Sequence, residues 1–418
     1  MSFLVGLAWK NLSRHWKRTL ITAVAVAAGL AMYIFMDGWL LGADLQSKRN
    51  MVWYETGSAR IVDAEYWEHR DTMPIRYAVE EPAPILDELD SRDIPATPRI
   101  TFGGEMIVRY DPFPEDGALP TRVVALDPET DSEVYRLEET IVSGRFLRPG
   151  EEGVLMGAWT AEDIGAEIGY PITISTRTKD GFRQTIRLPI VGIFATPNPV
   201  MNRGTLLMDL EVADYYLEMD GAVTQIDTYF SDREDATASA EALATDLGIS
   251  GDELEMVTWN ELAAEVLALA EAKQAGTGLI LFLVFIIAAV GVGNTMLMAV
   301  FERIRELGMM RALGMTDVEI RLAFVMEAAG IGVIGSVFGV GLGALANLYM
   351  TTVGFDFSFF TEQIGNIGYR IASVSYGAWN PTTMIVAFAA GIVMSAIIAW
   401  LPARKAMKMS ITDCLIHQ

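Results

Sequence analysis

One cysteine in 418 residues excludes an intramolecular disulfide. Because that residue, Cys414, lies near the C-terminus, any large domain here must rest on its packed core. Histidine is nearly as scarce: His15, His69 and His417 are scattered, and no Cys/His cluster has the spacing of a metal site. No G-x-x-x-x-G-K-[ST] loop is present, which excludes a P-loop nucleotide site, and no G-x-S-x-G elbow marks a hydrolase nucleophile. Positive charge is short as well. With 31 Lys and Arg against 54 Asp and Glu, the net charge is −23, which argues against nucleic acid as a partner. Among so many carboxylates some pair falls at a catalytic spacing by chance, so none is assigned a glycosidase role. The chain on its own is not expected to be an enzyme.

Apolar sequence is what the chain has in quantity. Hydrophobic residues make up 51% of a strongly acidic protein, a pairing natural to a membrane protein with a large acidic outer domain. Runs able to cross roughly 30 Å of hydrocarbon, about 20 residues each, occur at Leu20–Ala43, Ala275–Val300, Leu322–Met350 and Thr382–Leu401. The fold class expected is an α-helical membrane protein with four transmembrane helices and a large mixed α/β extracytoplasmic domain inserted between helices 1 and 2. By segment, an amphipathic cytoplasmic helix occupies 1–19, and the spans occupy 20–43, 271–300, 322–350 and 382–402. The outer domain is 44–270, with a cytoplasmic helix and loop at 301–321, a short outer loop at 351–381 and a cytoplasmic tail at 403–418. The first run has the basic front of a signal peptide, but its body is too long and Leu41-Gly42-Ala43 is a poor cleavage site, so a retained span is expected.

Basic residues set the orientation. Residues 1–19 hold Lys10, Arg14, Lys17 and Arg18 with no acid, and the tail holds Arg404, Lys405 and Lys408 against Asp413. The positive-inside rule puts both termini in the cytoplasm and 44–270 outside. That outer region carries 44 acidic and 18 basic residues, a balance of −26.

Within the outer domain, Ile100–Tyr110 and Thr121–Leu126 read as strands flanking the loop Asp111–Pro120. Pro171–Thr178 and Phe182–Phe194 read as a hairpin about Lys179-Asp180-Gly181, because Asp-Gly is a strong turn signal. Helices are expected at Ala158–Ile168 (stopped by Gly169), Leu210–Met219, Ala236–Leu247 and Thr258–Ala270. The last is expected to run unbroken into the second span, as a transmitter of motion or as a stalk. Gln46–Trp67 and Glu253–Ala270 bracket the domain and are expected to pack together. In the spans, Gly335, Gly339 and Gly343 recur every four residues, and Asn294 sits beside Gly291 and Gly293, patterns that bring helices close. Asp37 and Glu327 lie near span ends, within reach of interfacial water.

Between two apolar runs lies Phe301–Thr316, FERIRELGMMRALGMT. Glu302, Arg303, Arg305 and Glu306 alternate in sign, so the helix is not a simple lipid-surface helix. Leu307, Met310, Ala312 and Leu313 supply apolar anchors that a protein groove could accept.

The order of a short basic helix, one span, a large outer domain and three further spans, with E-R-x-R-E-x-G-x-x-R-A-L-G after the second, resembles the FtsX/MacB/LolC–LolE superfamily of ABC-transporter permeases. The matching residues are Glu302, Arg303, Arg305, Glu306, Gly308, Arg311, Ala312, Leu313 and Gly314, supported by Leu7–Leu12, Arg18–Leu20 and Pro402–Ala406. The resemblance implies that two permease subunits pair in the inner membrane, as a homodimer or heterodimer. Each would dock the 302–314 segment, Leu307 and Met310 included, into a separate ATPase that binds ATP and Mg. ATP-driven closure is then relayed to the outer domains, a mode called mechanotransmission. Gly57–Ile61 with Tyr66, Ser143–Leu147, Gly169–Pro171 and Val191–Phe194 are similar to LolE-type permeases, which pass lipoprotein to a periplasmic carrier. Where the carrier-recruiting member extends a hairpin hook, this chain has the tight turn Arg177–Arg183; Ser410 stands where the family commonly has Pro. Lipoprotein acyl chains would then contact Met32, Phe35, Met36 and Leu40. A MacB-like exporter of peptides or drugs and an FtsX-like signalling module acting on a cell-wall hydrolase are the alternatives.

Overall fold

The computed structural model describes residues 16–230, 236–249, 253–264, 304–356 and 374–406, with isolated positions elsewhere. The described residues fall into two compact units, one drawn from Met1–Gln46, Leu269–Gln363 and Ala372–Gln418 and the other from Ser47–Ala268.

The first unit is built on four described helices: α1 (Trp16–Met51), α2 (Ile304–Ala312), α3 (Asp317–Thr352) and α4 (Pro381–Ala406). The stretches Thr19–Thr56, Asp317–Thr352 and Pro381–Trp400 are long and apolar enough to cross a membrane. The expected second span, 271–300, is described only at scattered positions, among them Leu279, Phe282, Ile286, Val290 and Met298, which are helical and exposed. Glycine governs how α1 meets α3. A Cβ on Gly335 would come within 2.9 Å of Val26, one on Gly339 within 2.9 Å of the Ala27 carbonyl oxygen, and one on Gly343 within 2.9 Å of Ile34. The four-residue repeat therefore is a contact face, as its spacing predicts. Ala23, Val26, Leu30 and Ile34 of α1 fill it. Gly332 meets Gly391 of α4 in the same way, and a Cβ on Gly293 would come within 3.1 Å of Ile398.

The C-terminal parts of α1 and α3 and the approach to α4 are laced by polar contacts. Ala378 N donates to the Gly38 carbonyl at 2.8 Å, Asn347 Nδ2 donates to the Ala378 carbonyl at 3.0 Å, and Trp39 Nε1 donates to Ser375 Oγ at 3.0 Å. Asp37 has this structural use too, accepting from Asn380 Nδ2 at 3.0 Å. Glu327 differs from the expectation that it reaches interfacial water: it is 2% exposed. Ala323, Phe324, Ala328 and Ile331 are buried with it, at the i, i+1 and i+4 offsets that make one inward stripe of α3.

The second unit is a ten-stranded sheet. Its strands are β1 (Ala59–Asp63), β2 (Ala96–Val108), β3 (Gly117–Leu126), β4 (Ile141–Gly144), β5 (Val154–Gly157), β6 (Pro171–Arg177), β7 (Arg183–Phe194), β8 (Thr205–Asp209), β9 (Gln225–Thr228) and β10 (Leu254–Thr258). The order is β10-β1-β9-β2-β3-β8-β5-β7-β4, with β6 pairing β2 and β7. The predicted hairpin is β6–β7, in register from Pro171 opposite Pro189 to Arg177 opposite Arg183. Its alternation puts Ile172, Ile174, Ile186 and Leu188 into the main core with Ile100, Phe102, Val123, Met156 and Ile226. The opposite face of the sheet buries Val124, Leu126, Leu155 and Leu207 under Tyr135, Leu137 and Phe194. The bracketing segments do pair: β1 runs antiparallel to β10, with Ala59 opposite Thr258.

Two helix expectations change. The helix from Ala158 ends at Ile164, because Gly165 takes a left-handed cap (φ 63°) and Ala166 N reaches back to the Ala161 carbonyl at 2.7 Å. The helix expected to run unbroken from Thr258 is interrupted: Trp259–Leu262 is helical, Ala263 leaves helical geometry (φ −96°, ψ 6°), and the described positions Ala264, Leu267 and Ala268 are helical again, with Leu267 N donating to the Ala263 carbonyl at 2.9 Å. Thr258 ends β10 and caps this turn at once, and Leu262 folds onto Val62, Tyr66 and Val257. A helix without such an interruption is α1. Its 36 residues, at 1.5 Å each, extend about 54 Å, and a π-turn, Val52–Thr56, follows before Gly57 ends it.

Candidate functional site

The charged segment between the apolar runs folds as a corner with both sides capped. At its C-terminal end α2 closes in a Schellman motif: Met315 N donates to the Met310 carbonyl at 3.1 Å and Gly314 N to the Arg311 carbonyl at 3.0 Å. The motif needs a left-handed residue, and Gly314 supplies it at φ 95°. One residue past Met315, α3 starts on a capping box, in which Thr316 N donates to Glu319 Oε2 at 2.8 Å and Thr316 Oγ1 accepts from Glu319 N at 3.3 Å. Arg311 bridges the two helices, its Nε and Nη2 donating to Asp317 Oδ1 at 2.9 and 2.7 Å.

This geometry sorts the candidate residues. Met310 turns inward and, with Met315, packs on Ile320, Phe324 and Ala403. Gly308 is buried, and the Arg311 side chain is only 9% exposed, committed to the corner. Leu313 is 86% exposed, Ala312 is exposed, and Met309 is half exposed. Met309 is a member that the sequence reading missed, although its i, i+4 relation to Leu313 is the signal that would have found it. Glu306 faces Arg14 at 3.5 Å, a link from α2 to the N-terminal basic stretch. Glu302 and Arg303 lie outside the described residues; Arg305 and Leu307 belong to α2.

Of the four residues proposed against acyl chains, Met32 is 48% exposed and Phe35, Met36 and Leu40 are half-buried. None belongs to the α1 face that fills the glycine stripe of α3. No group of three or more potential metal ligands occurs among the described residues.

The sheet unit holds a buried charge network unforeseen from the sequence. Arg60 Nε donates to Asp227 Oδ1 at 2.5 Å, and Arg99 Nη2 donates to Asp131 Oδ1 at 2.5 Å. The Arg99 guanidinium also lies 3.5 Å from the centre of the Tyr135 ring. Burial works against charge on Arg60, yet Asp227 beside it holds its pKa above the ordinary arginine value. Burial likewise pushes the Tyr135 hydroxyl well above the usual tyrosine range, and Asp227 adds to the effect.

Comparison with known proteins converges on one family. Residues 278–411 match the family described as FtsX-like permease C-terminal, a stretch that includes all of α2 and α3. The uncharacterized ABC transporter permease MJ1507 of Methanocaldococcus jannaschii is 21% identical over 99% of this chain and 97% of that protein. The lipoprotein-releasing system transmembrane protein LolC of Xylella fastidiosa is 22% identical over 72% of this chain and 73% of its own length. The macrolide export ATP-binding/permease protein MacB of Escherichia coli strain K12 is 28% identical over 44% of this chain and 26% of its length. The superfamily resemblance stands on these matches; they do not single out its LolE-type branch.

Proposed function

We propose that this chain, an ABC-transporter permease of the FtsX/MacB/LolC superfamily, is driven by a separate ATPase docked on residues 302–314 and moves a hydrophobic substrate, lipoprotein, out of the outer leaflet of the inner membrane. The observation that carries the reading is the exposed apolar pair Met309 and Leu313 on a corner whose own bonds are satisfied. Such a pair is the form in which a helix presents anchors to a groove. ATP and Mg belong to the ATPase; this chain supplies the surface that receives its movement. Two permease subunits form the membrane part, with both termini cytoplasmic and 44–270 outside. The length of the LolC match supports lipoprotein as the substrate. Met32, with Phe35, Met36 and Leu40 around the same side of α1, offers a compliant surface for its acyl chains.

Replacing Met309 and Leu313 together by Asp tests the docking role. The variant is expected to insert and fold normally yet lose its ATPase on purification in detergent, and unchanged co-purification would refute the assignment. Mass spectrometry of the native complex tests the substrate: lipoproteins support the reading, whereas an adaptor and an outer-membrane duct favour MacB-like export, which the MacB match also fits. A bound cell-wall hydrolase or its activator would favour FtsX-like signalling.

A further inference from the structure

Where α1 leaves its apolar stretch, two guanidiniums share one indole. Arg49, in the last turn of α1, lies 5.0 Å from the centre of the Trp53 ring, and Arg136 lies 4.0 Å from the same centre. Arg136 comes from a distant part of the chain, between the buried Tyr135 and Leu137. Its backbone N–H donates to the Trp53 carbonyl at 3.0 Å, which fixes that loop to the helix end. Tyr54 completes the group, packed on the same core as Tyr135 and Leu137 and within electrostatic reach of both arginines.

Two like charges held this close call for negative charge, and the chain supplies little of it. Among the described residues Arg49 has the indole as its contact and no ion pair, and its Nε is buried without a hydrogen-bond acceptor. Arg136 faces Glu139 at 4.0 Å, but the two side chains are 47% and 67% exposed, the kind of pair that solvent screens. Glu55, just past Trp53, is engaged by Asn198 Nδ2. An indole attracts a cation over the face of its ring. The N–H donors of arginine lie in the guanidinium plane, so an arginine stacked on a ring still presents its fork. Two such forks beside a buried donor that lacks an acceptor form a receptor for one oxyanion, and phosphate accepts paired N–H donors well.

Position selects the oxyanion. At 1.5 Å per residue along α1, Arg49 stands about 9 Å beyond Ala43, the end of the apolar run. The headgroup layer flanking the hydrocarbon is about 5–8 Å deep on each side, so the pair lies where lipid phosphates are. A zwitterionic headgroup would bring its own ammonium against the two guanidiniums, whereas an anionic one brings none. We propose that Arg49, Trp53 and Arg136 form a clamp for the headgroup phosphate of an anionic phospholipid, which ties the end of α1 to the membrane surface. The clamp rests on α1 as a membrane span and not on which substrate is moved.

The full-length chain in detergent gives the test, by native mass spectrometry with phosphatidylglycerol, phosphatidylcholine or inorganic phosphate added. The wild type is expected to take up one phosphatidylglycerol per chain saturably, at a half-saturating concentration several-fold below that of phosphatidylcholine. Inorganic phosphate equimolar with the lipid is expected not to displace it. The double variant Arg49→Gln, Arg136→Gln is expected to bind phosphatidylglycerol several-fold more weakly, whereas Arg187→Gln, which removes an exposed arginine from β7, keeps the wild-type affinity. Arg136→Gln alone changes a half-exposed side chain and is expected to show a loss in the same direction, so the test stands even where the double variant does not fold. No saturable uptake by the wild type, unchanged binding in Arg136→Gln, an equal loss in Arg187→Gln, or equal uptake of the two lipids would each overturn the clamp. Displacement by equimolar phosphate would overturn the lipid assignment in favour of a soluble anion. A chain that stays monomeric without detergent would fail the membrane reading itself, and the clamp with it.

Discussion

Between Gly339 of α3 and Ala27 of α1, an added methyl group would meet atoms at 2.9–3.0 Å; in the sheet unit Phe102, Tyr135 and Phe194 fill the interior with rings. The same need for contact without voids is met by deleting side chains in one unit and by enlarging them in the other. The solvents differ, and that is the reason. Lipid tails are as apolar as leucine, so helices in a membrane gain little by burying large side chains and gain contact by bringing backbones together. In water, each apolar surface removed from solvent stabilises the fold at roughly 25 cal/mol per Å². Polar groups follow the same division. The described membrane helices tie Asp37 and Asn347 to neighbouring amide groups, whereas the sheet unit buries whole ion pairs at Asp227 and Asp131.

The comparison breaks first at Asp227. Asp227→Ala leaves Arg60 buried without its carboxylate and is expected to destabilise the sheet unit by about 3–5 kcal/mol, read as lower cooperative unfolding in denaturant. Gly339→Leu comes next, with an expected loss of about 1–3 kcal/mol from forced separation of α1 and α3. Gly341→Leu is its control, since a Cβ there meets nothing within 4 Å, and its thermal stability is expected to match the wild type. If both glycine variants behaved alike, the stripe would not be a packing face.

The smallest effect lies at the edge of the sheet unit, where Arg145 Nη1 donates to Glu151 Oε2 at 2.6 Å. Hydrogen bonds from Arg145 hold the Glu151 carboxyl below the usual carboxylate range. A depressed folded-state pKa contributes stability above the unfolded value and loses it as pH falls through the folded one. Glu151→Gln is therefore expected to reduce the Tm slightly near neutral pH, by roughly 1–2 °C for an exposed pair. The difference should vanish on acidification, and a difference that grew toward low pH would contradict the assignment.

Local pattern made much of this legible. The glycine repeat of α3 announces its face because four residues return a helix to nearly the same side, and Asp180-Gly181 announces the β6–β7 hairpin because few residue pairs suit a tight turn. The permease motif ending at Gly314 is readable for a related reason, since a left-handed cap demands glycine there. Contacts between distant residues left no such mark. Arg60 and Asp227 are 167 positions apart, and no periodicity links them. The inward turn of Met310, and the outward one of Met309 in its place, depends on where Ile320, Phe324 and Ala403 lie, which one helix's pattern cannot specify. The interruption at Ala263 likewise follows from the packing of Leu262 on β1 and β10, since nothing in the helical propensity of Glu261–Ala270 requires one.

The turn from α2 into α3 has no slack. Two caps meet within three residues, and the Arg311–Asp317 bridge spans them like a strut, so the corner is a rigid elbow. A hinge would absorb a push on Leu313 by bending. With an ATPase docked there as proposed, this joint would pass the load directly to the foot of a 36-residue rod, and a small shove at one tip would become a swing of the whole shaft. A crank of this kind works without storing anything: it needs only a neighbour that moves.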